Sequence, residues 1–132
     1  MNQLDAYVRE NCAFLYTDHG ASCIDEKSDS GNALLVLVTA DLQLRFVRDR
    51  GQLFLELRSR HVSSDAEWFS LDLVQQLLTD EIDDQTPLGD SRVNFLERHF
   101  ADISKAFAGD QARATSFRLH ELARARAKRL FG

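Results

Sequence analysis

Three short apolar segments in the first half of the chain constrain its fold more than any other feature. Ala33 to Thr39 is a near-continuous apolar run, as expected of a central strand buried on both faces. Leu42 to Val47 and Leu53 to Leu57 instead alternate with a period of two, with leucine or phenylalanine at every second position. Alternation of this kind predicts strands that turn one face to the core and a mixed face outward.

Short turns connect these segments. Residues 28–32 contain Ser, Asp, Gly and Asn, and Arg48-Asp49-Arg50-Gly51 joins the two alternating segments. Gly51 stands where a tight hairpin needs a positive φ. Because connections this short join antiparallel neighbours, the sequence predicts an antiparallel meander over residues 22–60. Ser22 to Lys27 is its weakest strand.

A helix is predicted before the meander. Asn2 can cap it, and Gly20 can end it in the left-handed conformation. Its apolar residues are spaced to share one face, namely Leu4, Tyr7, Val8, Cys12 and Leu15.

Three helices are predicted after the meander. Ser64 and Glu67 match a capping box, and Trp68, Leu71, Val74 and Leu78 would form the apolar face of the helix that follows. From Ser91 to Phe107 the residues Val93, Leu96, Phe100, Ile103 and Phe107 form one straight stripe. A last helix runs from Gln111 to Phe131, with Asp110 as its cap and Phe117, Leu119, Leu122 and Leu130 available for packing.

The chain of 132 residues has the length of one domain, so residues 1–132 are expected to fold as a single unit. The fold class is α+β: an antiparallel meander of three or four strands, one helix before it and three after it. Packing the helices on one face of the sheet is the simplest way to bury all of the apolar stripes.

Apolar run lengths and cysteine use indicate the environment. The longest apolar run, Ala33 to Val38, is far shorter than a membrane span, and Asp5 and Arg9 interrupt the N-terminal region where a signal peptide would be apolar. We therefore expect a cytoplasmic protein without membrane contact. Cys12 and Cys23 are expected to be free, buried thiols, although a bridge between them stays open.

Acidic residues are concentrated in one segment. Residues 61–91 contain eight acids and neither Lys nor Arg, while the whole chain has a net charge of −5. Charge at this density either faces water or binds a basic partner. The partner-binding candidates are Asp65, Asp72, Asp80, Glu81, Asp83 and Asp84. Their spacing does not match a calcium-binding loop.

The last helix is basic and offers an alternative function. It contains six cations, Arg113, Arg118, Arg124, Arg126, Lys128 and Arg129. The helix dipole alone favours cations near a C-terminus, but a nucleic-acid surface is the competing interpretation. The acidic balance argues against nucleic acid, and so does the scarcity of aromatic residues among these cations, where Phe117 is the one aromatic ring. Ion pairs between these cations and the acidic segment are a third interpretation.

Signs of catalysis are few. The sequence has no zinc-ligand spacing, nucleophile elbow or glycine-rich phosphate loop, so no metal, cofactor or catalytic residue is predicted. One alternative remains. If the two helices on either side of Gly109 formed a hairpin, His99 and His120 would lie side by side on neighbouring helices, and together with Glu121 they could form the active site of a small enzyme. We expect a protein that is not an enzyme.

The order of elements resembles that of a group of small uncharacterised bacterial proteins. The likeness spans residues 32–107 and consists of LRFVRDRGQLFLEL (Leu44 to Leu57), Trp68 opening a Leu-rich helix, and the Phe-rich helix from Val93 to Phe107. Some of these proteins are immunity proteins that neutralise polymorphic toxins. The resemblance implies a stoichiometric inhibitor of one partner, and it assigns no individual residue a role.

Together these observations predict a non-catalytic cytoplasmic module that binds a basic protein through its acidic segment. The sequence leaves its oligomeric state open.

Overall fold

In the part of the chain that the structure describes, a five-stranded antiparallel sheet follows two helices, and four more helices come after it. The computed structural model describes residues 3–62, 67–83 and 87–132. In chain order these residues form α1 (Gln3–Asn11), α2 (Ala13–Thr17), β1 (Ser22–Asp29), β2 (Asn32–Val38), β3 (Leu42–Asp49), β4 (Gln52–Ser59), β5 (Phe69–Ser70), α3 (Leu71–Thr79), α4 (Asp90–Arg98), α5 (Phe100–Ala106) and α6 (Ala112–Phe131).

The sheet is a meander in which each strand pairs with the next one along the chain, in the order β1-β2-β3-β4-β5. The predicted α+β class and antiparallel topology are therefore confirmed, with five strands rather than three or four. The added strand β5 is two residues long and pairs with β4. The apolar run predicted as a central strand forms β2, an interior strand between β1 and β3. Its middle residues Leu35, Val36 and Leu37 are buried, so the expected burial on both faces holds there, whereas Leu34 and Val38 are half-buried.

Two tight loops set the register of the first four strands. Ser30 and Gly31 have φ values of 27° and 90°, and Arg50 and Gly51 have 53° and 80°. Positive φ at both loop residues is the geometry that matches the twist of antiparallel strands. Asp29 consequently faces Asn32, and Asp49 faces Gln52, as the predicted turns require.

One face of the sheet carries the core. Its buried side chains include Leu35 and Leu37 from β2, Leu44 and Phe46 from β3, and Leu55 and Leu57 from β4. The large apolar residues that the helices bury belong to the same cluster, so the helices cover this face. Ser59 joins the end of β4 to the helices, since its buried hydroxyl donates a hydrogen bond of 2.7 Å to the Phe107 carbonyl.

The N-terminal region differs from the single predicted helix. Leu4, Val8, Cys12 and Leu15 are buried as expected, but the chain breaks into α1 and α2 at Cys12, whose backbone is not helical (φ −126°, ψ 39°). Gly20 ends the region with a φ of 63°, as predicted. The proposed cap Asn2 lies outside the described residues.

The predicted capping box does not open the next helix. Ser64 lies outside the described residues, and Glu67 and Trp68 precede β5 instead of lying on a helix. Helix α3 begins at Leu71, after Ser70. Pairing of Phe69 and Ser70 with β4 holds the backbone extended there, so tertiary contacts override the local capping signal.

The later helices keep their predicted stripes but not all of their predicted lengths. The stripe from Val93 to Phe107 is buried, yet it is carried by two helices, α4 and α5, that meet at His99. Helix α6 matches its prediction within one residue. Leu119 on α6 is buried, whereas Phe117 and Leu130 are exposed, so packing of those two residues was wrongly predicted. None of the helices in the described ranges is long and apolar enough to cross a bilayer.

Candidate functional site

The sheet face opposite the core is the most unusual surface of the described structure. We call it the open face. The register of β2, β3 and β4 brings to it Leu34, Val36, Val38, Gln43, Arg45, Val47, Phe54, Glu56 and Arg58. Its apolar members neither belong to the core cluster nor pack against it.

An apolar row crosses the open face. Leu34 faces Val47, and Val47 faces Phe54, so three neighbouring strands contribute one apolar side chain each. All three are half-buried. Along β2 the row continues through Val36, which is buried, and Val38, which is half-buried. An antiparallel sheet with one face in water normally has polar side chains at these positions. The open face departs from that pattern in a contiguous patch.

A polar and aromatic cluster borders the apolar row. Arg45 donates two hydrogen bonds, of 2.9 Å and 2.7 Å, to Oε1 of Glu56 directly opposite on β4. Arg58 donates one of 2.7 Å to Gln43. The ring of Trp68 lies 4.5 Å from the guanidinium carbon of Arg45 and 4.2 Å from that of Arg58. Both contacts are cation–π interactions, and they hold the half-buried indole against the sheet.

A shallow cavity of about 330 Å³ lies at the hairpin end of this face. Leu34 and Val47 of the apolar row line it, together with charged side chains that include Lys27, Asp29 and Asp49. The patch thus has an apolar centre and a charged border.

The structure describes four of the six predicted partner-binding acids, and these four lie in different environments. Asp65 and Asp84 lie outside the described residues. Asp72 is buried, and its Oδ2 accepts a hydrogen bond from Arg126 of α6, so its carboxylate is not displayed to a partner. Asp83 lies 3.1 Å from Arg92, which also donates to Gln75. Asp80 and Glu81 are exposed after α3 and form no ion pair with the described residues.

The charge asymmetry of the sequence is therefore matched in part within the molecule. Two acids of the segment contact side chains of α6: Asp72 pairs with Arg126, and Glu67 pairs with His120. Of the other α6 cations, Arg113, Arg118, Arg124, Lys128 and Arg129 are exposed. The third interpretation from the sequence, internal pairing, thus holds for Arg126.

The histidines of the alternative enzyme site have separate partners. His99 stacks on Phe95 with ring centroids 4.6 Å apart and lies 3.7 Å from Asp102. Nδ1 of His120 lies 2.8 Å from Glu67. Within the described ranges, no three His, Cys, Asp or Glu side chains are grouped to hold a metal ion.

A second histidine cluster was missed at the sequence level. His61 Nε2 lies 2.9 Å from Asp41 Oδ1, and the Ser104 hydroxyl donates to Asp41 Oδ2 over 3.3 Å. A catalytic triad needs the imidazole between hydroxyl and carboxylate, but here the carboxylate is in the middle. The cluster is therefore not arranged as a triad, and it fastens the β2–β3 loop to the end of β4 and to α5.

Both cysteines are free thiols, as expected, but they differ in environment. Cys12 is buried, and burial, with a smaller contribution from the charge of Glu97, raises its pKa to about 12. Cys23 is exposed on β1, contrary to the expectation that both would be buried.

The apolar residues of the open face are visible in the sequence, but their pattern predicts a strand covered on both faces. Val47 and Phe54 occupy outward positions of alternating strands, and the continuous run through Val36 and Val38 fills both faces of β2. Such a run is typical of a strand covered on both sides.

Comparisons with protein-family models, with curated proteins and with solved structures gave no match.

Proposed function

We propose that the protein is a protein-binding module and that the open face is its docking surface. The apolar row Leu34, Val47 and Phe54 is the observation that carries the proposal. Leaving apolar side chains on the solvent face of a sheet forgoes the free energy of their burial, about 25 cal/mol per Å². A partner that covers the row recovers it.

The layout of the face supports this proposal. Stable protein interfaces combine an apolar centre with a polar, partly wet rim. The residues that dominate binding energy are enriched in Trp and Arg. Trp68, Arg45 and Arg58 supply these residue types next to the apolar row, and their mutual contacts order them before a partner arrives. Ordering in advance lowers the entropic cost of association.

The partner in this proposal is a basic protein. The net charge of −5 attracts cationic proteins over long range and raises their association rate. The exposed Asp80 and Glu81 add to that field, whereas Asp72 acts within the fold. A stoichiometric inhibitor, the role implied by the resemblance to immunity proteins, is one function of such a module.

The test uses two matched phenylalanine substitutions in the full chain. Phe54→Lys places a charge in the apolar row, and Phe117→Lys makes the same change at an exposed position of α6. Wild type and both variants serve as bait in extracts of the source cells, and captured proteins are quantified by mass spectrometry. Circular dichroism melts establish that both variants are folded.

We expect wild type and Phe117→Lys to retain the same basic protein in stoichiometric amount, and Phe54→Lys to lose it. Equal retention by both variants would contradict docking through the open face. A captured partner with an acidic isoelectric point would contradict the proposed charge of the partner.

A further inference from the structure

The cavity at the hairpin end of the open face has two carboxylates at its border. Its volume of about 330 Å³ is at the small end of the range for ligand pockets, roughly 300 to 1,000 Å³, so it suits one side chain better than a cofactor. Leu34 and Val47 in its lining are half-buried, whereas Asp29 and Asp49 are exposed. Neither carboxylate forms a hydrogen bond or an ion pair with another described residue.

Alternation along the strands places both carboxylates on the open face. Asp29 lies two residues beyond Lys27, which faces Leu34. Asp49 lies two residues beyond Val47 of the apolar row. Side chains two residues apart on a strand share one face of the sheet. Both carboxylates therefore border the same surface as the apolar row.

The two carboxylates also belong to one row that crosses three strands. Asp29 faces Asn32 on β2. One step beyond the last pair of β2 and β3, the same register puts Asn32 beside Asp49. Adjacent strands are about 4.8 Å apart, so the Cα atoms of Asp29 and Asp49 are roughly 10 Å apart. A group that binds both carboxylates at once must carry hydrogen-bond donors on two sides.

Two cations contribute to the lining as well. Arg48 faces Ala33, which packs against the core, so the arginine side chain leaves β3 on the helix side of the sheet. Lys27 is on the open face and exposed, and it forms no ion pair with another described residue. Since Lys27 offsets only one of Asp29 and Asp49, the open-face side of the cavity has a net negative charge.

We propose that this cavity is an anchor pocket for an arginine side chain of the basic partner. The inference rests on the proposed function and names the group of the partner that the open face recognises. The aliphatic part of the arginine packs on Leu34 and Val47, and its guanidinium donates hydrogen bonds to Asp29 and Asp49.

The chemistry of the pocket favours arginine over lysine. A guanidinium carries five N–H donors in a planar fork, so it can bond carboxylates on two sides, whereas an ammonium is a compact charge. A guanidinium is also more weakly hydrated, which lowers the cost of moving it from water onto an apolar surface. Arginine is enriched among the residues that dominate binding energy at protein interfaces.

A second copy of this chain is the competing source of the arginine. Its helix α6 exposes side chains of the same chemistry, namely Arg113, Arg118 and Arg124. Two copies, however, each have a net charge of −5 and repel one another, whereas a basic protein is attracted. The cavity also shares Leu34 and Val47 with the apolar row, so a partner that covers the row reaches the cavity.

The first experiment titrates the full isotope-labelled chain with N-acetyl-arginine methylamide at constant ionic strength and follows the backbone amides by NMR. N-acetyl-citrulline methylamide is the control probe, because it has nearly the same shape without the charge. We expect the arginine probe to bind in the millimolar range and to shift the amides of Leu34, Val47 and Asp49. The citrulline probe should bind about tenfold more weakly. No shifts at these amides, or equal binding of the two probes, would overturn the proposal.

Two double variants separate the pocket from the charge of the whole molecule. Asp29→Asn with Asp49→Asn removes both carboxylates of the pocket, and Asp80→Asn with Glu81→Gln removes the same charge from exposed positions after α3. We expect the first variant to bind the arginine probe about tenfold more weakly and the second to bind it like wild type. Equal weakening in both variants would mean that only net charge matters, which contradicts a pocket.

Capture from extracts of the source cells separates this proposal from the proposed function. If Asp29→Asn with Asp49→Asn retains the native partner as wild type does while Phe54→Lys loses it, the anchor pocket is wrong and docking through the open face stands. If Phe54→Lys also retains the partner, the proposed function fails whatever the probes do. Sedimentation of the purified chain tests the second copy: a dimer that the pocket variant dissociates would overturn the assignment to a partner protein.

Discussion

Replacing Arg126 by Met should destabilise the fold by ~3 kcal/mol, at the lower end of the range for removing one partner of a buried ion pair. The side chain of Asp72 is 2% exposed and that of Arg126 is 19% exposed. The second carboxylate oxygen of Asp72 is buried and has no hydrogen-bond partner among the described residues, so Arg126 is the main compensation for its charge. Methionine keeps the aliphatic packing of the arginine stem but leaves the carboxylate uncompensated.

Urea unfolding followed by far-UV circular dichroism measures this loss. With a dependence of roughly 2 kcal/mol per molar urea, the midpoint should fall by roughly 1.5 M. Arg124→Met is the matched control, because Arg124 is exposed two residues earlier on the same helix, and it should change stability by less than about 0.5 kcal/mol.

The double variant Asp72→Leu with Arg126→Met removes both charges and should recover most of the lost stability, since an apolar pair is often as stable as a buried ion pair. The reasoning would be refuted if Arg126→Met cost no more than Arg124→Met, or if the double variant were as unstable as Arg126→Met alone.

Three further predictions concern single residues of the fold. Because burial raises the pKa of Cys12 to about 12, a colorimetric thiol reagent near neutral pH should titrate only Cys23 in the native protein and both thiols in denaturant; rapid reaction of two native thiols would contradict the burial of Cys12. Ser59→Ala should cost about 1 to 3 kcal/mol in urea unfolding, because it leaves the buried Phe107 carbonyl without the hydroxyl donor, and an unchanged midpoint would argue against that bond. Gly51→Ala should cost about 1 to 2 kcal/mol from backbone strain alone, since an added Cβ meets no atom within 4 Å at a φ of 80°; a thermal melt equal to wild type would show that the turn relaxes.

Local patterns in the sequence predicted most of the elements. The alternation of Leu42, Leu44 and Phe46 and the glycine turns gave the strands and their antiparallel order, because side-chain period and loop length are local properties. The stripe from Val93 to Phe107 was likewise read correctly as one buried face. The division of this segment into two helices at His99 was not predicted, because the spacing of apolar residues does not indicate where the backbone departs from helical geometry.

The candidate site was harder to predict because it depends on which face of the sheet the helices pack against. The run through Val36 is compatible with cover on both faces, and only the assembled core shows that the helices pack on the face of Leu35 and Leu37. The acidic segment illustrates the same difficulty, because its charges can be counted in the sequence while the partners of Asp72 and Glu67 lie on a helix about fifty residues away.

The sequence by itself determined the α+β class, the meander with its two tight turns, and the apolar faces of the helices, because each depends on the conformational preferences and spacing of neighbouring residues. Only the tertiary structure decided that β1 is an exposed edge, that β5 replaces the predicted start of α3, and that Trp68 rests on Arg45 and Arg58. These features are made by residues far apart in the chain, and their contacts form or fail according to how whole elements pack.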